Sequence, residues 1–207
     1  TLDQKTGREI MATPLSLAPL NPGRIWESIQ ETAPDAAKLA RNGLFVATQQ
    51  HAAAQGFDIL RTRTLQAMAK RGWTRLIVTS PTAGCGASFV ASNLALSLAR
   101  LPSCRTVLMD MDLRSPALAE LFCQKDAGLL IEFLMGEQPL EGQFRRQGRN
   151  LALALNGEPV ARASELIQDP EFAQALQSVS DHLQPDIVIM DTPPAPALDD
   201  GAALCDR

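Results

Sequence analysis

What most constrains this chain is an alternation of short apolar runs with stretches of helical spacing. The runs Leu76–Thr79, Val107–Met109, Leu151–Leu155 and Ile187–Met190 are separated by helical patterns over Ser88–Leu101, after Pro116 and around Pro170–Leu183. Strands joined by crossover helices are covered on both faces, so they read as continuous apolar runs rather than as polar and apolar in turn. The implied class is α/β, a mostly parallel sheet with helices on both faces. Hydrophobic residues make up 45% and charged residues 20% of the 207, which is enough apolar surface for a core and excludes wholesale disorder. That length fits one ordinary domain, or one domain with an extended arm.

The start of the chain reads differently. Residues 1–50 have weak periodicity and are punctuated by Pro14, Pro19, Pro22 and Pro34, so an N-terminal arm or linker is expected there, with the folded domain over residues 51–207. From His51 to Lys70, Phe57, Leu60, Leu65 and Met68 recur at helical spacing, and Gly72 sits where a helix commonly stops. A helix docked through Phe57 and Leu60 is expected.

Several function classes fall away. Nineteen Lys and Arg against 23 Asp and Glu give a net charge of −4, so no nucleic-acid partner is expected. The longest apolar stretch, Gly128–Gly136, is far shorter than the roughly 20 residues of a membrane-spanning helix. Cys85, Cys104, Cys123 and Cys205 show no CxxC or Cys/His ligand spacing, and reduced thiols in the cytoplasm are the expectation. His51 and His182 have no partnering pattern and read as surface or helix residues.

Three strand ends carry the chemistry. Strand Leu76–Thr79 runs into Ser80–Ser88 (SPTAGCGAS) and then a helix rich in Ala and Leu. Glycines let backbone N–H groups turn inward, and a helix N-terminus favours an anion, so this segment is a phosphate cradle. A P-loop ends in Gly-Lys-[Ser/Thr]; Gly86 and Ser88 fit, while Ala87 stands where the lysine belongs. The second strand ends in Asp110, Asp112 and Arg114, a carboxylate pair placed in the crevice where open α/β sheets bind ligands and able to hold Mg²⁺. The last strand, Asp186–Met190, ends in Asp191 followed by Thr192 and two prolines, the Walker B arrangement. Each motif alone has a bland structural reading. In this order they define a P-loop NTPase type of domain.

Taken together, SPTAGCGAS, VLMDMDLRSPALAELF, GLLIEFLMGE, SELIQDPEF and DIVIMDTPP resemble the bacterial tyrosine kinases of exopolysaccharide and capsule assembly, relatives of the MinD/ParA ATPases. The resemblance covers residues 51–207. It implies an ATP-dependent, autophosphorylating protein tyrosine kinase that regulates exopolysaccharide biosynthesis or export. ATP or ADP with Mg²⁺ would be held by Thr82, Ala83, Gly84, Cys85, Gly86, Ala87, Ser88 and Phe89, with Ser88, Asp110 and Asp191 at the metal. Asp112 would activate the tyrosine hydroxyl, beside Asp110 and Asp191, and Arg114 matches the DxDxR ending. The implied partner is a membrane polysaccharide-export or chain-length protein at the cytoplasmic face, and a homo-oligomer is also implied.

Three departures qualify that resemblance, and one residue sharpens it. Ala87 removes a cation whose charge-assisted bonds are worth about 1.5–3 kcal/mol, so the chain as written is expected to be inactive or very slow. Natural loss and a deliberate Lys→Ala substitution both fit it. Thr82 stands where MinD/ParA proteins carry a signature lysine, which favours the kinase branch. The family's Glu-x-x-Arg-x-x-Arg oligomerisation motif reads Gln55, Asp58 and Arg61, which argues against ring assembly through that helix. The chain contains no tyrosine, starts at Thr1 and stops at Arg207, so a longer natural protein is expected. A nucleotide-responsive regulatory scaffold without phosphotransfer is the competing reading. Cys85 lies inside the loop, where a small residue filling a turn is a blander reading than a redox role.

Overall fold

The computed structural model describes residues 21–47 and 52–195. In chain order, α1 (Pro22–Ser28), β1 (Glu31–Thr32), α2 (Ala36–Arg41) and a 3-10 turn at Phe45–Ala47 lead to the long helix α3 (Ala52–Ala69). The α/β alternation then runs through β2 (Arg75–Val78), α4 (Ala87–Ala99) and β3 (Thr106–Asp110). Three short helices follow, α5 (Leu118–Leu121), α6 (Leu130–Leu134) and α7 (Leu140–Gln143), then the hairpin β4 (Arg145–Gln147) and β5 (Leu151–Ala154). The chain continues through α8 (Ala163–Ile167), α9 (Pro170–Leu183) and β6 (Ile187–Asp191). Local chemistry sets several boundaries. Asp169 accepts from Glu171 N and Pro170 occupies the first position of α9, while Asp35 caps α2 through Ala37 N.

Among the described residues the sheet has six strands in the order β1-β4-β5-β3-β6-β2. The pairs β2·β6, β3·β6, β3·β5 and β1·β4 are parallel, and only β4·β5 is antiparallel. Successive strand side chains point to opposite faces, so one strand feeds two cores. Val107, Met109, Val188 and Met190 join the cluster under α1, α6 and α9. Leu108, Ile187 and Ile189 join the other, under α3 and α4. This is the α/β class expected from the alternation.

Two expectations about the first part of the chain are corrected. Residues 21–47 are not an arm: Ile25, Trp26, Ile29, Leu39, Leu44 and Val46 are buried, and β1 pairs with β4 at Glu31↔Arg146. Trp26 Nε1 donates to the Arg149 carbonyl at 2.7 Å, tying the segment to the β4–β5 turn. Residues 1–20 and 48–51, His51 among them, lie outside the described residues, as do 196–207 with Cys205. The α3 stripe is also rotated from the expected one. Phe57 and Met68 are buried and Leu65 is half-buried, while Leu60 is 37% and Ile59 58% exposed. Leu60 therefore does not dock.

Helix α3 is fastened to α4 by charge as well as by packing. Asp58 Oδ1 accepts from Ser97 Oγ at 2.7 Å, Arg61 Nη1 at 3.0 Å and Arg100 Nη1 at 3.1 Å. Burial pushes the Asp58 carboxyl up, but the Ser97 hydroxyl, Arg100 and Arg61 outweigh it and hold the pKa below its ordinary value. Two of the positions that align with the oligomerisation motif are thus engaged within the chain.

Candidate active site

The phosphate cradle forms where β2 passes into α4. Thr192 N donates to Val78 O at 3.0 Å, Thr79 Oγ1 to Pro193 O at 2.7 Å, and Ala195 N to Ser80 O at 2.7 Å. These bonds lock the loop to the segment after β6. Ser80 Oγ donates to Thr82 O at 2.9 Å. Gly84 has φ +77° and Gly86 φ +89°, and a Cβ at either would meet nothing within 4 Å. Glycine is required there by the sign of φ, not by space. Gly86 is the N-cap of α4 and supplies no side-chain cap, so the first N–H groups of that helix remain for an external acceptor.

Not every residue of the expected nucleotide set faces the cleft. Ala83, Gly84, Gly86, Ala87 and Ser88 line a cleft of about 430 Å³, closed on the other side by Asp112, Arg114, Ser115 and Ala117 and by Thr192–Pro194. Thr82 and Cys85 are exposed and approach each other, Oγ1 to Sγ 3.0 Å, without lining the cleft. The Phe89 ring packs edge-on against Phe45 and Phe57, at 6.0 and 5.6 Å between centroids, leaving its backbone as the part available to a phosphate. A larger cleft of about 1120 Å³ near Thr32, Lys38 and Lys125 contains none of the candidate site residues.

Beneath the cradle, the sheet register brings two acids together. Asp110 of β3 pairs with Asp191 of β6, and they are 0% and 1% exposed. Leu118 N donates to Asp110 Oδ2 at 3.0 Å, but Asp110 Oδ1 and both Asp191 carboxylate oxygens have no hydrogen-bond partner. Burial, then the neighbouring Asp191 and Asp112, raise the Asp110 pKa well above the ordinary value. Burial raises Asp191 to about 6, with Asp112 adding to it; the nearby Ser88 hydroxyl opposes the rise without reaching normal hydrogen-bond geometry. Buried carboxylates with unpartnered oxygens fit a bound cation.

Asp112 stands at the cleft wall, where its Oδ1 accepts from Ser115 N at 3.0 Å. No group of three or more His, Cys, Asp or Glu among the described residues is arranged as a metal cage. This donor set suits Mg²⁺, which binds through one or two carboxylates and fills its shell with phosphate oxygens and water. Ser88, Asp110 and Asp191 fit that part. Ser164 opens the SELIQDPEF stretch, yet the sequence assigns it no role; its hydroxyl bonds to Arg114 Nη2 across 50 residues of sequence.

A P-loop cradle at the switch from strand to helix, two acidic strand ends in register and a parallel sheet with helices on both faces define a P-loop nucleotide-binding domain. Known proteins refine this. No family model matches the chain. It is 32% identical over 149 residues to a putative tyrosine-protein kinase EpsB of Ralstonia nicotianae, covering 72% of this chain and 19% of that protein. It is 30% identical over 162 residues to the tyrosine-protein kinase ptk of Acinetobacter johnsonii, covering 78% of this chain and 22% of that one. The solved kinase domain of the Escherichia coli tyrosine kinase ETK matches with a TM-score of 0.69 and 29% identity over 78% of this chain and 63% of its own. By sequence and fold the chain belongs with the kinase domains of the bacterial tyrosine-protein kinases. It spans about a fifth of the length of the curated relatives it matches.

Proposed function

We propose that this chain is the catalytic domain of an ATP-dependent protein tyrosine kinase tied to exopolysaccharide assembly, and that Ala87 leaves it impaired. The observation that carries this reading is the in-register Asp110–Asp191 pair, with three unpartnered carboxylate oxygens, directly below a glycine loop that opens a helix. The loop backbone and the Ser88 hydroxyl hold the nucleotide phosphates, with ADP as the leaving half. Ser88, Asp110 and Asp191 would hold Mg²⁺, which would supply charge neutralisation at the transferred phosphoryl group. Asp112 takes the tyrosine proton as the phenolic oxygen attacks the γ-phosphorus and the bond to the β,γ-bridging oxygen breaks. Partners under this reading are a membrane polysaccharide-export protein at the cytoplasmic face and further copies of the chain.

Ala87 favours a second reading, a nucleotide-responsive scaffold without phosphotransfer. A phosphotyrosine blot separates the two. Ala87→Lys with Mg·ATP and a tyrosine-containing peptide is expected to give signal, and adding Asp112→Asn to abolish it while nucleotide still binds. Silence from the lysine form favours the scaffold; undiminished signal in the Asn form removes Asp112 as the base.

A further inference from the structure

The cleft has an electrostatic gap. Asp112 lines it and Asp110 and Asp191 lie beneath it, yet the loop position that normally contributes a cation is Ala87. Among the described residues lining this cleft, Arg114 is the one Lys or Arg side chain. Its placement is built into the turn after β3. Met111 and Leu113 are 0% and 1% exposed, anchoring every second residue in the core, so Asp112 and Arg114 fall together on the opposite side. Val160 N donates to Leu113 O at 2.8 Å and Ser115 N to Asp112 Oδ1 at 3.0 Å, which fixes the turn on either side of Arg114. The Ser164 hydroxyl, at the start of α8, holds the guanidinium at the cleft rim.

We propose that Arg114 supplies the phosphate-binding cation that Ala87 cannot, docking the terminal phosphate of a nucleoside di- or triphosphate from the wall opposite the glycine loop. The inference rests on the nucleotide reading given above. Guanidinium chemistry suits that role, because its charge is delocalised over a planar group. Its five donors in a planar fork match the geometry of phosphate oxygens. A lysine at position 87 would reach the same phosphates along the loop. Arg114 and a lysine at 87 are therefore alternative sources of one charge, and each should matter less when the other is present.

Calorimetry with Mg·ADP on five forms tests this: the chain itself, Arg114→Gln, Arg114→Lys, Ala87→Lys, and Ala87→Lys with Arg114→Gln, each checked by thermal melting for intact folding. Arg114→Gln is expected to weaken binding about tenfold or more, up to roughly 150-fold, the range for losing a charge-assisted contact. Arg114→Lys is expected to retain most of the affinity, which a purely structural role for the arginine fork would not allow. In the Ala87→Lys background the same Arg114→Gln change is expected to cost clearly less. Equal affinity of the chain and Arg114→Gln, or an equal loss in both backgrounds, overturns the proposal. So does binding by Ala87→Lys alone with none by the chain, an outcome that spares the nucleotide reading. If no form binds Mg·ADP, Ala87→Lys included, the nucleotide reading falls and this inference with it.

Discussion

Neutralising one of the two buried acids should make the ligand-free protein more stable. Asp191 is 1% exposed, its carboxylate oxygens have no hydrogen-bond partner, and burial raises its pKa to about 6 from an ordinary 3.8. About two pKa units at roughly 1.4 kcal/mol each make the ionised form cost about 3 kcal/mol of stability at pH 7 and above. Asp191→Asn removes that charge and places an amide donor beside the unpartnered Asp110 Oδ1, while the amide carries part of the burial penalty itself. A net gain of about 2 kcal/mol follows, or roughly 4–8 °C in Tm for a chain of this size. The gain must depend on pH. Between about pH 4 and 6 the native state holds the Asp191 proton that the unfolded chain releases, so the parent loses stability as pH rises through that window. Melting both proteins in a metal chelator from about pH 4.5 to about pH 8 spans that window and reads the difference. The variant should lead at the alkaline end, and its lead should shrink toward the acid end. Added Mg²⁺ should then raise the parent more than the variant. A variant less stable than the parent at the alkaline end, or a lead that does not change with pH, would refute the argument that this pair is held in an unfavourable charge state.

Three further outcomes are expected. Trp26→Ala, at a 3% exposed site, should cost about 3–5 kcal/mol in urea denaturation, whereas the same change in an arm would cost nothing. On α3, Phe57→Ala should destabilise by a similar amount and Leu60→Ala, at 37% exposure, by no more than about 0.5 kcal/mol; equal losses would restore the expected stripe. Asp58→Ala leaves Ser97, Arg61 and Arg100 without their shared acceptor and should cost about 1–2 kcal/mol near neutral pH. Because its carboxyl is held below the ordinary pKa, that contribution is present above about pH 4 and disappears as acid protonates it, which chemical denaturation at about pH 7 and about pH 3 should reveal.

The N-terminal segment shows why local patterns mislead there. Along the sequence Pro22 looks like an interruption, but it occupies the first turn of α1 behind the Asn21 cap, where a missing N–H costs nothing. The helix is seven residues long, so Ile25 and Trp26 are too few to display a period. Strand β1 has two residues and β4 reads Arg-Arg-Gln, so neither gives an alternation to detect. β1 becomes a strand through its pairing with β4, and β4 through that pairing and its hairpin with β5.

The sequence alone determined what depends on neighbours along the chain. Apolar runs of strand length set four strands, Asp169-Pro170 starts α9, and glycines at 84 and 86 permit the positive φ of the loop. These are properties of φ, ψ and side-chain spacing within a few residues, so they are written locally. Only the tertiary structure decided which acids meet. Asp110 and Asp191 lie far apart in sequence and become a pair through the β3–β6 register, and the same long-range folding brings Ser164 to Arg114 and Ser97 to Asp58. Such contacts form when the ordering entropy of a large loop is offset by burial of the two cores, a balance struck by the whole fold rather than by any one segment.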